Sequence, residues 1–478
     1  MQTYTDSLSY NRQKGVLTYM GAQYGAFPSS GVVPKTYTAR PDDWPVLPIV
    51  STGEQKFVGL YAVYDAVGQY VALMVSGNYI VDWGDGSSPE NVSAGVKAQH
   101  EYSYATCGGA ICSRGYKAVV ISVTPQSGQN ITSLSLDQRH SSDVSSAGSQ
   151  WLDITICSRY MTSLVFRGAV TPTIMERVYI IDHAVTNMGG MFGGCSSLTS
   201  VPLFDTGLVT SMGSMFSGCT LLKSVPAFDT GLVTNMGFMF YNCSSLTSVP
   251  AFDTRLVTSM LWMFYNCSSL TSVPAFDTRL VTSMDSMFCG CSSLTSVPAF
   301  DTGLVTDMGG MFGGCSSLTS VPAFDTRLVT IMGSMFSGCT LLTSVPAFDT
   351  RLVTSMGFMF YNCTLLTSVP LFDTGLVTSM LWMFYNCSSL TSVPAFDTRL
   401  VTDMGSMFGG CSSLTSNLMT GTKVDVSVAG EKLSASALNT LFTNLGTVSG
   451  KTITITGNPG AGTCTQSIAT GKGWSVAN

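Results

Sequence analysis

The sequence contains few charged residues and few histidines, and each shortage narrows the range of functions. Of its 478 residues, 22 are Lys or Arg and 28 are Asp or Glu, which gives a formal net charge of −6. Nucleic-acid binding relies on a basic surface, so this composition argues against a nucleic-acid partner. The three histidines, His100, His140 and His183, stand in no motif that contains a nucleophile.

The short motifs of enzymes and metal sites are also missing. The sequence contains no H-E-x-x-H, G-x-S-x-G or P-loop pattern. No set of Cys and His residues shows the spacing of zinc ligands. We therefore predict a protein that is not an enzyme, with no catalytic residues, no metal site and no cofactor.

Long hydrophobic runs are absent, although the mean hydropathy is positive at +0.31. The apolar runs are as short as Tyr70–Val75, far below the ~20 residues that a membrane-spanning helix needs. Residues 1–10 contain neither a basic nor an apolar signal region. We therefore expect no membrane insertion and no secretory signal.

Repetition is what the sequence has in abundance. Strict self-similarity at a short period is typical of a solenoid, whose stacked turns bury their apolar faces against one another. A second period of 120 residues, or five turns, indicates a duplicated cassette. Ten cysteines mark the 24-residue period within residues 186–416: Cys195, Cys219, Cys243, Cys267, Cys291, Cys315, Cys339, Cys363, Cys387 and Cys411.

The apolar spacing within one repeat predicts the structure of each turn. Residues at i, i+3, i+4 and i+7 predict a helical core stripe: Met212, Met215, Phe216 and Cys219. Leu222 and Val225 lead into Pro226, which predicts a short strand that the proline ends. We therefore expect each turn to contain a short strand, a turn and a helix of one to two turns, in a mixed α/β solenoid.

The cysteines of the repeat are expected to be buried thiols that act as small hydrophobic side chains. In a disulfide-bonded column every cysteine would have two equivalent neighbours, which argues against bridges. Outside the repeat, Cys107 and Cys112 either close a small loop disulfide or both remain unpaired.

The repeated phrase M-F-x-x-C-x-x-L-x-x-V-P-x-F-D-T resembles the leucine-rich repeats of BspA-like bacterial surface proteins. The resemblance covers about 230 residues. It implies a leucine-rich-repeat solenoid that presents a long surface for adhesion and protein–protein interaction.

The N-terminal part of the chain predicts a different architecture. Prolines across residues 1–50 predict an extended arm that docks on a partner. In residues 51–140, four runs rich in β-branched and aromatic residues predict an all-β sandwich: Phe57–Tyr64, Tyr70–Val75, Tyr79–Trp83 and Tyr116–Val123.

The segment V-D-W-G-D-G at Val81–Gly86, with His100-Glu-Tyr102 downstream, resembles the PKD domain, an immunoglobulin-like sandwich. This resemblance implies a spacer or a surface-recognition module. Asp82 and Asp85 could hold a cation, but capping of their own turn is the favoured interpretation.

Degenerate strand units in residues 141–190 predict an N-terminal cap of the solenoid. Residues 417–478 predict a C-terminal cap with a strand at residues 452–456 and an apolar segment at residues 473–476. The amphipathic helix of this cap is predicted from four apolar residues: Leu438, Leu441, Phe442 and Leu445.

Two segments, Tyr79–Pro125 and Asn458–Trp474, resemble structural proteins of tailed-phage particles. They imply a virion protein of bacteriophage origin, made in the host cytoplasm and present in many copies. Its N-terminal arm would dock on other virion proteins, and its solenoid would contact host glycans, host proteins or neighbouring subunits. The alternative is a leucine-rich-repeat adhesin of the bacterial cell surface.

The candidate binding residues are aromatic and amide side chains that depart from the repeated phrase. Exposed Trp and Tyr beside Asn amides suit sugar rings and suit protein partners equally well. Lateral packing in a particle is the structural alternative. The candidate residues form two patches that are five turns, or ~24 Å, apart, and this spacing allows two-point attachment. The patches are Phe238, Tyr241, Asn242, Trp262, Tyr265 and Asn266, then Phe358, Tyr361, Asn362, Trp382, Tyr385 and Asn386.

The aspartate of the F-D-T triplet recurs in nine turns, from Asp205 to Asp397. Glycosidases need two carboxylates in distinct environments ~5–9.5 Å apart, whereas these share one environment. We therefore interpret them as turn caps. In five turns an arginine follows two positions later, as Arg255 follows Asp253, and is expected to offset the charge of the stacked acids.

Overall fold

The computed structural model describes residues 8–11, 16–19, 22–24, 40–66, 68–108, 111–143, 150–166 and 174–478. Residues 1–233 and 234–478 form two compact units, here called the N-terminal unit and the C-terminal unit. Most of the segment expected to be an extended arm, residues 1–39, lies outside the described side chains. Its described backbone contains three antiparallel strands: β1 (Leu8–Asn11), β2 (Val16–Tyr19) and β3 (Ala22–Tyr24).

Ten further strands form two sheets in the N-terminal unit. The smaller sheet has the order β12-β10-β5-β8, and the larger has the order β13-β11-β4-β9-β6-β7. The strands are β4 (Lys56–Tyr64), β5 (Gln69–Val75), β6 (Tyr79–Asp82), β7 (Glu90–Val92), β8 (Ala98–Tyr102), β9 (Tyr116–Pro125), β10 (Ser133–Ser135), β11 (Trp151–Cys157), β12 (Ser163–Val165) and β13 (Arg177–Ile181).

The four strands expected from the sequence are present as β4, β5, β6 and β9. The two sheets pack on each other through Tyr61 of β4. Its ring stacks on Tyr102 of β8 with centroids 6.0 Å apart, and its hydroxyl donates to the carbonyl of Tyr70 in β5 at 2.7 Å. Gly59 has no side chain because a Cβ there would lie 2.5 Å from the Trp151 ring. The relation to PKD domains remains a prediction.

Residues 40–50 pack on the larger sheet. Trp44 is buried, and its indole Nε1 donates to the Tyr116 hydroxyl at 2.9 Å. The guanidinium of Arg40 lies 5.6 Å from the Trp44 ring centroid, and its Nε pairs with Asp153 at 2.9 Å. The last residues of the predicted arm are therefore anchored by one buried aromatic ring and one ion pair.

Strands from residues 141–190, the predicted N-terminal cap, extend both sheets. β12 pairs with β10, and β13 pairs with β11, and both pairings are parallel. Parallel pairing is the arrangement that stacked turns require, since each turn runs in the same direction as the one before it. Within the same unit, Asn187 and Ser211 form a parallel bridge one repeat apart.

The repeats of the C-terminal unit are held by an alternating pattern of backbone hydrogen bonds. The N–H groups of Phe238 and Phe240 donate to the carbonyls of Leu261 and Met263 in the next turn, both at 2.9 Å. Other N–H groups donate to the carbonyl of the residue three positions earlier in the same turn, as Cys243 does to Phe240 at 3.0 Å. The segment is therefore a series of β-turns, each bonded to the following repeat.

The expected helix in each repeat is wrong. Phe238 and Asn242 both have φ of 58°, which a right-handed helix cannot contain. The i, i+3, i+4 and i+7 spacing arises because successive β-turns return the apolar side chains to one side. The expected strand is also largely absent from the described repeats, where the only strand pair is β14 (Ser392–Val393) with β15 (Ser416–Asn417). The array is thus a β-type solenoid with little helix.

Aromatic rings and thiols fill the interior of this solenoid. Phenylalanine rings stack at centroid distances of 5.5–6.1 Å with interplanar angles of 3–9°: Phe240, Phe264, Phe288, Phe312, Phe336, Phe360, Phe384 and Phe408. The cysteine of each repeat is buried beside them, and Cys315 Sγ donates to the Phe288 carbonyl at 3.1 Å. All fifteen cysteines are free, including Cys107 and Cys112, so the expectation of buried thiols is confirmed.

The C-terminal segment contains the expected helix and strands. Helix α1 (Ala435–Asn444) buries Leu438, Leu441 and Phe442, and the Ser434 side chain caps its start by accepting from the Ala437 N–H. A short helix α2 (Ser467–Thr470) follows. Three strands form a parallel sheet: β16 (Val426–Ser427), β17 (Lys451–Thr454) and β18 (Trp474–Ala477).

Glu431 is buried in this segment with 2% of its surface exposed. Neither carboxyl oxygen has a hydrogen-bond partner among the described residues. Burial without a partner disfavours the charged form and raises the pKa of Glu431 to about 9. The side chain is therefore protonated at neutral pH.

A thiol reagent should modify few cysteines while the protein is folded. All fifteen are free, and only Cys289 and Cys464 are not fully buried; burial raises the pKa of both. With Ellman's reagent at about pH 8, at most these two should react before denaturation, and all fifteen should react after it. Cys289→Ser should remove one thiol from the native count and one from the denatured count, whereas replacing a buried repeat cysteine such as Cys315 by Ser should lower the denatured count alone. Reaction of repeat cysteines in the native state would contradict the buried column.

Replacing Glu431 by Gln should reduce the loss of stability as the pH rises from about 4.5 to about 9. The folded pKa of about 9 lies above the ordinary value of 4.5, so the stabilisation is complete below pH 4.5 and is lost as pH rises toward 9. Urea unfolding should show the wild type losing a few kcal/mol relative to Glu431→Gln across this range. The exposed Asp425→Asn serves as the control and should follow the wild type. Parallel profiles for wild type and Glu431→Gln would contradict the buried neutral carboxyl.

Candidate functional site: an aromatic surface on the solenoid

Every repeat contains two positions with positive φ. The second position holds Gly or Asn, the residues that adopt this conformation at least cost. The first position holds Ser or Gly in six turns: Gly190, Ser214, Ser286, Gly310, Ser334 and Ser406. In the other four turns it holds Phe238, Trp262, Phe358 and Trp382, at φ of 55–59°.

Bulky aromatic residues are unfavourable at this first position. The left-handed conformation costs an L-residue about 1–2 kcal/mol relative to glycine, and bulky side chains there are true outliers. The backbone of each turn requires the conformation whichever residue is present, as Gly310 and Ser334 show. The four aromatic residues are thus retained against the local preference of the backbone.

The structure brings the predicted site residues together in two clusters of the C-terminal unit. Patch A comprises Phe238, Tyr241, Asn242, Trp262, Tyr265 and Asn266, and patch B comprises Phe358, Tyr361, Asn362, Trp382, Tyr385 and Asn386. Within one turn of each patch, the Trp and Tyr ring centroids lie 4.6 Å apart. Between turns, the two Tyr rings lie 5.0 Å apart in patch A and 5.4 Å apart in patch B.

None of the twelve side chains is fully buried. Phe358 is 37% exposed, and Asn266 and Asn386 are exposed, while the other nine are half-buried. The amides also connect the turns, because Asn266 donates to Asn242 at 3.0 Å and Asn386 donates to Asn362 at 2.9 Å. The rings therefore pack on one side and remain accessible on the other. Their role in binding remains a prediction.

The residues that follow each patch are small for a spatial reason. A Cβ at Gly290 would lie 2.1 Å from Asn266 Oδ1, and a Cβ at Gly410 would lie 2.4 Å from Asn386 Oδ1. The asparagine amide of one turn thus lies over the glycine backbone of the next. This pairing of Asn with Gly 24 residues later ends each patch.

The two patches differ in one hydrogen bond. Trp262 Nε1 donates to Asp285 Oδ2 at 2.7 Å in patch A. Gly405 occupies the corresponding position beside Trp382 in patch B and offers no side-chain acceptor.

The aspartates of the F-D-T triplet cap their own turns, as expected. Asp229 Oδ1 accepts from the Gly231 N–H at 3.1 Å. Where arginine follows, the pair is bidentate within one turn, and Arg255 reaches Asp253 at 2.7 Å. The hydrogen bond from Arg255 lowers the pKa of Asp253. The aspartates therefore stabilise their own turns, and five of them also pair with an arginine.

The W-G-D-G segment also forms the expected capped turn. Asp82 Oδ1 accepts from the Gly84 N–H, and Asp85 Oδ1 accepts from the Ser87 N–H, both at 3.0 Å. Asp85 Oδ2 bonds His100 Nε2 at 2.8 Å. Across the described residues no group of three or more His, Cys, Asp or Glu is placed to hold a metal ion.

A row of exposed leucines was not anticipated from the sequence. The leucine three positions after each F-D-T aspartate is 43–53% exposed in seven successive turns: Leu256, Leu280, Leu304, Leu328, Leu352, Leu376 and Leu400. The neighbouring valine of each turn is buried. The available signal was the adjacency of Leu and Val, which in a turn of this kind cannot both face inward.

Among the described segments, neither helix has the length and apolar character to span a lipid bilayer.

Stacked turns that share one hydrogen-bonding pattern and present a patterned surface define a solenoid repeat protein. A family model described as "Mycoplasma protein of unknown function, DUF285" matches residues 180–274, 258–367 and 311–422. Together these matches span residues 180–422, just over half of the chain, and the chain belongs to this family. No curated protein matches the chain. The family match does not include residues 51–140, where the PKD resemblance lies.

Several solved structures also match over part of the chain. A leucine-rich repeat protein from Eubacterium ventriosum is 18% identical, with 57% of this chain and 78% of that chain covered and a TM-score of 0.35. Toll, in its Drosophila complex with Spatzle, is 14% identical, with 63% and 48% covered and a TM-score of 0.25. The plant peptide hormone receptor RGFR1, in complex with RGF2, is 14% identical, with 62% and 60% covered and a TM-score of 0.21. The chain thus spans about half of the Toll chain.

Replacing Phe358 by Gly should change the free energy of unfolding by less than about 1 kcal/mol. The release of about 1–2 kcal/mol of backbone strain offsets the loss of a ring that is already partly exposed. Phe312→Ala, which removes a fully buried ring of the core, should cost about 3–5 kcal/mol. Urea unfolding of both variants tests this comparison. Equal losses would assign Phe358 to the core rather than to a binding surface.

Proposed function

We propose that the protein is a surface-displayed binding protein, without enzymatic activity, whose solenoid presents patches A and B to a partner. The observation that carries this proposal is the presence of Phe and Trp at positive φ in four turns, where Gly or Ser serves in the other six. Strain that stability does not require tends to mark functional positions. Clustered aromatic side chains that remain partly exposed also favour an interaction site.

The repetition of the patch supports two-point attachment. Patches A and B belong to the same unit and are five turns apart. The buried phenylalanine column advances 5.5–5.8 Å at each step from Phe240 to Phe360. Five such steps correspond to roughly 28 Å, a little more than the ~24 Å that the spacing of β-strands predicts. A partner that offers repeated binding sites gains affinity through the second contact.

Two places of display are compatible with this function. The phage resemblances of Tyr79–Pro125 and Asn458–Trp474 support a tailed-phage particle, with the N-terminal arm docked on other virion proteins. The matching family is described by a bacterial genus, Mycoplasma, which supports a bacterial origin and is compatible with the alternative, the bacterial cell surface. We favour the cell surface, because the family match rests on a longer segment. Immunogold labelling of intact cells and of purified phage particles distinguishes the two.

The proposal is tested by binding of the labelled protein to immobilised glycans and to intact bacterial cells. Trp262→Ala together with Trp382→Ala should lower binding by at least tenfold, because both patches lose their central ring. The matched control, Leu280→Ala together with Leu400→Ala, changes two exposed side chains outside the patches and should bind as the wild type does. Unchanged binding of the tryptophan variant would show that the patches are not the site. Release of reducing ends from a bound polysaccharide would contradict a purely binding role.

A further inference from the structure

Patches A and B contain the same types of side chain but are not equivalent as binding sites. The indole N–H of Trp262 is already bonded to Asp285. The indole N–H of Trp382 bonds no residue in the part of the chain that the structure describes. We propose that patch B is the primary site for a neutral carbohydrate chain, which accepts a hydrogen bond from the Trp382 N–H. This inference rests on the proposed function and specifies its ligand.

The charges around patch B favour a neutral ligand. Its two turns, residues 356–363 and 380–387, contain no charged side chain, and the carboxylate of Asp403 in the neighbouring turn is held by a backbone N–H at 2.9 Å. The neighbouring arginines, Arg351 and Arg399, are each held by the aspartate of their own turn at 2.7 and 2.6 Å. No free cation is therefore positioned in patch B to attract an anionic ligand.

The polar groups of patch B match those of a sugar. Tyr hydroxyls, Asn amides and one free indole N–H stand among aromatic rings that offer apolar surface. A carbohydrate presents both C–H faces and hydroxyl oxygens, so it can use both kinds of contact. A half-buried donor such as the Trp382 N–H gains from an acceptor in the ligand, because the protein supplies none.

The residue that follows the second tyrosine of each patch 24 positions later also differs between the patches. Gly409 lies directly against Tyr385, since a Cβ at Gly409 would be 2.8 Å from the ring. At the corresponding position beside patch A stands Cys289, a larger residue. Asp285 is itself held in place, because Ser286 Oγ donates to its Oδ1 at 3.2 Å. The Asp285 carboxylate therefore accepts the hydrogen bond that the Trp262 N–H could otherwise give to a ligand, and it adds a negative charge to patch A.

The test measures binding by isothermal titration calorimetry with cellohexaose, maltohexaose and mannohexaose, and with hexagalacturonate as the acidic counterpart. Trp382→Phe keeps an aromatic ring and removes only the N–H, and should weaken binding of a neutral hexasaccharide about tenfold. Trp262→Phe is the matched control and should bind within about twofold of the wild type, since its N–H is not offered to the ligand. Asp285→Gly should free the Trp262 N–H and strengthen the second binding event.

Several outcomes would contradict the assignment of patch B to a neutral carbohydrate without contradicting the proposed function. Equal loss in Trp262→Phe and Trp382→Phe would show that the patches are equivalent. Full affinity in Trp382→Phe with loss in Trp382→Ala would show that the ring binds and the N–H does not. Cell binding that Trp382→Ala abolishes, but that resists periodate and is destroyed by protease treatment of the cells, would identify a protein partner. Normal cell binding by Trp382→Ala would show that patch B is not the primary site, whereas normal binding by the double variant Trp262→Ala with Trp382→Ala would contradict the proposed function itself.

Discussion

Backbone hydrogen bonds between neighbouring repeats hold the array together, and they require two left-handed residues in each repeat. At Phe238 and Phe240, the N–H groups point to the next turn, while the N–H of Cys243 closes a local β-turn. This alternation satisfies the backbone without long strands or helices, although every donor and acceptor near the core must find a partner. The positions of the buried Phe and Cys columns follow from it, because each β-turn returns one side chain to the interior.

Much of this architecture follows from the sequence, and the exceptions have a physical reason. A strict period of 24 residues predicts stacked turns, buried thiols and aspartates that cap their own turns, since each repeat must use the same contacts. The helix in each repeat was mispredicted because successive β-turns and a helix share the same apolar spacing. The distinguishing signal was Gly218 or Asn242 at the second left-handed position, where a helix would not favour either residue.

The candidate site was partly predictable in the same way. Residues 24 positions apart must become neighbours, so the clustering of Trp262 with Phe238 follows from the period alone. Their backbone strain did not, because Ser, Phe and Trp at the first left-handed position give no indication of a positive φ. The bond from Trp262 to Asp285 joins residues 23 positions apart and depends on the register of neighbouring turns, which only the structure provides.

The self-similarity of the repeats has a consequence for how such a surface can change. Because each turn bonds to the next through the same backbone atoms, inserting or deleting a whole 24-residue repeat leaves the bonding scheme of the remaining turns intact. Each event within the five-turn interval would move patch A and patch B apart or together by one step of the phenylalanine column, 5.5–5.8 Å, with no new core to evolve. The distance between binding points is thus a heritable length, adjustable in fixed increments.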